Sequence, residues 1–499
     1  VSAAGERWRA RLGLAVVGLG ASVAPLDFAV NIAFPAIVSA FELPTRSIRW
    51  AAICYVLTYG ALMLGFGALG DRIGHLRVFR AGLWVAALAF ALCALAPDFG
   101  WLLAARVLQG VAVALLLSCA PALCTLMLEE RERTRALSAF ASAQALAGAL
   151  APVAGGVFVA LLGWPGVYWM RVPIALAALA CLRFVRPAPG RAVAAGAVSA
   201  GQAGQTGQTG QTGQTGPVAG RAAFDAGGSA WLAAAVGLLL LGPSLAAPGS
   251  ATWLALPATL AGAAAMAVFV VRQRRSGAPL LPASAVRDPG FRRLNLAAVV
   301  LQLGSFAVPL VVPFLLLRGE GWTPTGSGLL LSVWALGTLV GSGVAPRVIG
   351  RAGIGRAAPA GALAAFVGLV WIAAWPADPG IATRIASLAL QGAGLGLFQV
   401  AYSDGVVAAL PPASRGVAGS LTLFTRTVGV VIGATLWIGL LQAFEERALA
   451  AGAMPGAARA DAFAMVLGLA AGIVAAFLLA TALRRSAWSV GSPGEPPSR

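Results

Sequence analysis

Asp27 in "APLDFAVNIAFPAI", Arg106 in "LLAARVLQGVAVA" and Asp404 in "QVAYSDGVVAAL" are charged side chains set in almost wholly apolar sequence. On the lenient insertion scale a charge at the centre of a bilayer costs about 2.5–3.5 kcal/mol, so each of these residues needs a reason to be there. A carboxylate that faces a cavity, with its charged form penalised by lost water, can load and release a proton as access to it alternates between two sides. A guanidinium in the same setting needs an acid, backbone carbonyls or a water-filled cavity. The blander readings are a helix-capping aspartate near the surface for Asp27 and a snorkelling arginine for Arg106. Asp404 lies only about two turns from the end of its span, where a structural hydrogen bond serves as well, and Arg426 is a basic residue available to pair with it. Asn31, Gln109, Gln144, Gln399 and Tyr402 are polar groups in the spans placed to touch a cargo molecule.

The elements that must position these residues follow from composition. Of 499 residues, 59% are hydrophobic and only 10% are charged, too apolar for an ordinary soluble domain. Apolar windows of about 20 residues, enough to cross about 30 Å of hydrocarbon as helices, recur along almost the whole chain. They are apolar on every face, unlike the alternating strands of a barrel. We count fourteen, which predicts an all-α integral membrane protein.

The net charge of +18 raises the possibility of a nucleic-acid partner. All 35 basic residues are arginines, and most fall in alternate connections between the windows. That is the positive-inside bias of a multi-pass protein with both termini in the cytoplasm, and it accounts for the charge without nucleic acid. Three arginines, Arg106, Arg171 and Arg426, lie inside spans instead. The five cysteines also lie within spans and suggest neither a disulfide nor a metal site.

The layout is six spans, two, then six. Residues 1–186 form a first bundle of six helices, and 187–228, with its repeated "QTG", reads as a flexible linker. Residues 229–271 hold an inserted helix pair, 272–293 a basic cytoplasmic connection, 294–484 a second six-helix bundle and 485–499 a cytoplasmic tail. Repeated halves with a site between them suit a transporter.

One cytoplasmic connection stands out. In "GALGDRIGHLRV" the glycines allow close approach and a tight turn while Asp71 is set to meet an arginine or a helix N-terminus, the makings of a latch between bundles. The string resembles the glycine-rich loop signature of the major facilitator superfamily through Gly67, Leu69, Asp71, Arg72, Gly74 and Arg77. Other stretches agree in order. "WAAICYVL" is similar to the opening of the second helix in the family's fourteen-helix drug/proton antiporter branch, and "LLAARVLQGVAVA" resembles its fourth-helix motif through Arg106, Gln109 and Gly110. "GALAPVAGG" resembles the fifth-helix antiporter motif through Gly148, Pro152, Gly155 and Gly156. "YWMRVPI" parallels the start of the sixth helix, with Arg171 where an asparagine is common. In the related antiporters the acid of the first helix precedes the proline by nine residues. Here Asp27 precedes Pro35 by eight, which on a continuous helix turns the carboxylate by about 100°, whereas Asn31 keeps its spacing.

The resemblance implies a proton-coupled exporter in the cell (inner) membrane, moving a drug or amphipathic small molecule outward in exchange for protons by alternating access. Asp27, Arg106 and Asp404 are then the coupling candidates. The alternatives are export of one endogenous metabolite or lipid-like compound, and a non-transporting membrane sensor. No phosphate-binding Gly-Lys-Ser/Thr loop, cofactor motif or nucleophile–base pair is evident, so an ATP-driven pump or an enzyme is not expected. The expected partners are the bilayer, protons and a small molecule. A periplasmic or outer-membrane efflux partner is left open.

Overall fold

A computed structural model describes residues 3–127, 133–182, parts of 230–245, 252–275, 288–376, 379–409 and 415–482. The regular elements of these residues are all helices, without strands. The expected linker 187–228, most of the connection 272–293 and the tail 485–499 lie outside them.

The helices are α1 (Ala3–Ser22), α2 (Phe28–Ala40), α3 (Arg49–Ile73), α4 (His75–Ala94), α5 (Phe99–Met127), α6 (Arg133–Leu162), α7 (Gly166–Trp169) and α8 (Arg171–Cys181). After the interruption come α9 (Ala255–Arg275), α10 (Pro289–Phe314), α11 (Pro324–Ala352), α12 (Ile354–Ala373), α13 (Gly380–Ala409), α14 (Arg415–Ala450) and α15 (Pro455–Ala482). Among the described residues eleven helices are long and apolar enough to cross a membrane, counting Arg11–Ala40 as one. α3 adds a further 25-residue helix, and Gly166–Cys181 is a shorter apolar one.

The first expected span is broken. Pro25 has no N–H to donate, and the chain tightens into a 3-10 turn over Pro25–Asp27 before α2 begins. Asp27 is therefore the last residue of a turn that immediately precedes α2.

Helices α1–α8 pack among themselves, as do α10–α15, with α3 on α5 and α4 on α5 in the first group and α11 and α12 on α13 in the second. α9 meets the described part of 230–245, where Gly262 sits against Leu239, so the inserted segments pack on each other. Both groups contain R-x-G-x-x-R, at 72–77 and 351–356. In each the glycine, Gly74 at φ +99° and Gly353 at φ +75°, reverses the chain between two helices in a conformation that disfavours other residues. The same short signature thus marks a helix-to-helix turn in each group.

The groups meet mainly at one face, the one bearing the turns 41–48, 163–165 and 315–323. There α6 lies against α11: a Cβ on Gly156 would overlap the Pro324 carbonyl, and one on Gly328 would overlap the Pro152 carbonyl. Gly155 is as close to α2, with Ala29 Cα 2.8 Å from where its Cβ would lie. Arg318 donates to the Pro35 carbonyl at 2.9 Å and to Ser39 Oγ at 2.8 Å, and Gln442 accepts from the Arg46 amide at 2.6 Å. α3 and α14 touch deeper, where Thr427 Cγ2 fills the space over Gly60.

Overpacking a close contact costs about 1–3 kcal/mol, about a five- to 150-fold shift in a two-state population. Gly156→Leu should therefore open this face. Ser327 is fully buried beside Gly328, so a cysteine at Ser327 should react with a maleimide at least about tenfold faster in the Gly156→Leu background; equal rates would contradict the seal.

Candidate functional site

Asp27 sits in the first group, at the start of α2, and its carboxylate is enclosed by side chains from two other helices. Arg106 of α5 donates to both oxygens, Nη1 to Oδ1 at 2.6 Å and Nη2 to Oδ2 at 3.0 Å. Arg171, the first residue of α8, donates from Nη1 to Oδ1 at 2.8 Å. Gln109, one turn beyond Arg106, donates to Oδ1 at 2.8 Å and accepts from Arg106 Nη1 at 2.9 Å.

The guanidiniums are anchored from behind. Arg106 Nε donates to the Ala51 carbonyl of α3 at 2.8 Å, and its plane lies 4.5 Å from the Tyr55 ring. Arg171 Nε donates to the Val167 carbonyl at 2.9 Å and the group rests on Phe90 and Tyr168. Both arginine side chains are buried, and Asp27 is 13% exposed. Asp27 is thus a clamped counter-ion, not a lone carboxylate facing a cavity. Its single negative charge answers two positive ones, and Arg171 Nη2 is buried without a hydrogen-bond partner among the described residues. Protonating the carboxylate would leave two guanidiniums facing each other without any counter-charge.

The other expected residues distribute as follows. Asn31, one turn along α2, is buried. Gln109 is fully buried inside the cluster. Gln144 on α6 has both amide atoms buried and without hydrogen bonds among the described residues. In the second group Gln399 Nε2 donates to Gln302 Oε1 at 3.3 Å, and the buried Tyr402 donates to Asn295 Oδ1 at 2.9 Å. Asp404 is exposed, away from the Asp27 cluster, and does not pair with Arg426. Of the antiporter-motif residues, Gly148 lies beside Pro25, whereas Pro152, Gly155 and Gly156 form the contact with α2 and α11.

In the glycine loop, Gly70 packs on His75 and Cys119, and Arg77 Nη1 donates to the Ile73 carbonyl at 3.3 Å. Gly67 lies 3.9 Å from Ser118 by its would-be Cβ, and Gly74 makes the turn. The side chains of Asp71 and Arg72 lie outside the described residues, and so does the proposed latch contact. Arg171 was not among the expected site residues. Its only sequence signal was its charge, in a span and at a position where the family commonly carries asparagine.

Removing one member of a buried pair typically costs about 3–5 kcal/mol because the partner is left charged and unmatched. Asp27→Ala should lower thermal stability in detergent by this order, and Arg171→Met in the same background should recover part of the loss. Additive losses would show that the two side chains do not interact.

The pattern of the Major Facilitator Superfamily matches residues 12–434. The chain is 28% identical to the uncharacterized transporter YebQ of Escherichia coli (strain K12), covering 90% of this chain and 93% of that one. It is 27% identical to the methylenomycin A resistance protein of Streptomyces coelicolor (strain ATCC BAA-471 / A3(2) / M145), over 84% and 83% of the two chains. A bacterial homologue of the human lysosomal transporter Spinster, solved inward-facing and unoccupied, superimposes with a TM-score of 0.62 at 16% identity, covering 98% of each chain. That last likeness concerns the fold.

Proposed function

The chain belongs to the Major Facilitator Superfamily and is a multi-pass membrane transporter, and from that premise we propose that it exports an organic compound in exchange for protons. The face that carries Gly74 and Gly353 is the cytoplasmic one on this reading, as the arginine bias requires. Fourteen helices, with the inserted pair between two six-helix bundles in the cell (inner) membrane, complete the proposed arrangement. Resistance to methylenomycin A, the role named for one relative, is in keeping with export of a small organic molecule.

The observation that carries the proposal is that one short helix holds both the acid and the seal. Asp27 begins α2. Ala29, half a turn on, lies against Gly155, and Pro35 and Ser39 take the hydrogen bonds of Arg318 from the opposite group. A proton arriving at Asp27 cancels the charge that Arg106 and Arg171 share, and α2 must then settle differently between them. Contacts at both of its ends move with it. That links proton occupancy to which face is open, the requirement for coupled alternating access.

The driving force is sufficient. One charge entering across about 100 mV supplies roughly 2.3 kcal/mol, close to a fiftyfold gradient of cargo, before any pH difference is added. Asp404 and the Asp71–Arg72–Arg77 loop take secondary parts in this reading, as a second protonation site and as a latch on the cytoplasmic face.

In sealed vesicles with an acidic interior, a transported compound should trigger alkalinisation of the lumen. Asp27→Asn should abolish the response while binding of the compound persists. A response that survives the substitution would remove Asp27 from the coupling step, and binding without any proton movement would contradict antiport.

A further inference from the structure

The Asp27 cluster leaves the third intramembrane arginine unused. Arg426 lies roughly 16 Å along α14 at 1.5 Å per residue, on a helix that packs against α3 of the first group and α10 of the second. Its neighbours Thr425 and Thr427 are 4% and 2% exposed, whereas Arg426 itself is exposed. Thr427 is turned to α3, where it fills the space over Gly60 and hydrogen-bonds Tyr59. Thr425 hydrogen-bonds Tyr402 of α13. Arg426 therefore extends into open space between the two groups, with the phenols of Tyr59 and Tyr402 within electrostatic reach. No carboxylate of the described residues lies within the 4.0 Å of a salt bridge.

The charges around it do not balance. Asp27 is already outnumbered by Arg106 and Arg171, and Arg426 adds another positive charge to the space between the groups. A lipophilic cation entering here would meet an excess of its own sign. An anion would meet a guanidinium whose planar fork matches a carboxylate and whose charge is poorly screened.

We propose that the cargo is an organic anion and that Arg426 receives its acidic group. The inference rests on the export reading above for the direction of movement, but not for the binding itself. The same geometry offers a route from cargo to proton. Tyr59 and Tyr55 stand one turn apart on α3 with ring centroids 5.2 Å apart, and Tyr55 carries Arg106 over its face at 4.5 Å. A charge settling at Arg426 is thus within electrostatic reach of Tyr59, whose tilted neighbour Tyr55 carries the partner of Asp27.

The test uses the purified full chain and three probes of equal shape: 1-naphthoate, 1-naphthamide and 1-naphthylmethylammonium, with binding measured by equilibrium dialysis near neutral pH. One charge-assisted hydrogen-bonded pair is worth about a tenfold preference or more. The carboxylate should therefore bind at least about tenfold more tightly than the amide or the ammonium. Arg426→Gln should erase that preference and Arg426→Lys should restore part of it, which separates loss of charge from loss of fold. Equal binding of the three probes, tighter binding of the ammonium, or a preference that survives Arg426→Gln would overturn the proposal. Proton flux recorded with the same probes keeps the two readings apart. A carboxylate preference without proton movement contradicts antiport and leaves the anion site standing, and proton-coupled movement of the ammonium without carboxylate binding does the reverse.

Discussion

A carboxylate largely cut off from water must be matched, and the matching of Asp27 dictates much of the first helical group. Four hydrogen bonds from Arg106, Arg171 and Gln109 converge on two oxygens. They fix α5 and the start of α8 about the turn that precedes α2, and the Arg106 bond to the Ala51 carbonyl adds α3. Breaking such a cluster by removing one partner is costly because the others are stranded in a medium that cannot solvate them. The arrangement is therefore either fully formed or reorganised, which is the property a switch requires.

Small residues supply the other half of that switch. Between helices in lipid there is little hydrophobic drive, so close backbone contact through glycine is a main source of attraction. Gly155, Gly156 and Gly328 place α2, α6 and α11 in such contact at one face, and Arg318 adds hydrogen bonds to the carbonyl of Pro35 and the hydroxyl of Ser39. α2 belongs to both systems. Its first residues are bound to the acid, and its last turns to the opposite group.

Much of this was legible in the sequence. Charges stand out against apolar windows, so Asp27 and Arg106 declared themselves, and the order of short motifs pointed to the family. The break after Ser22 was less visible because Pro25 and Pro35 both sit in uninterrupted apolar sequence, and only the structure separates a turn-making proline from one tolerated inside a helix. Arg171 was visible as a charge out of place, but its partner lies 144 positions away, beyond any local pattern. Gln109 read as a cavity residue because polarity marks a site without saying whether the group faces cargo or another side chain. Gly155 and Gly156 stood out as part of a family motif, whereas Ala29 and Pro324, which they meet, carry no signal of their own.

The central claim is that protonation of Asp27 is felt at the contact between the helical groups. Spin labels at Leu161→Cys and Met454→Cys, both exposed at the contact face, would report the separation of the groups by electron–electron double resonance at acidic and alkaline pH in a background without the native cysteines. If the account holds, the distance distribution shifts with pH in the otherwise native chain and is fixed in Asp27→Asn. The same pH-dependent shift in both proteins, or no shift in either, would contradict it.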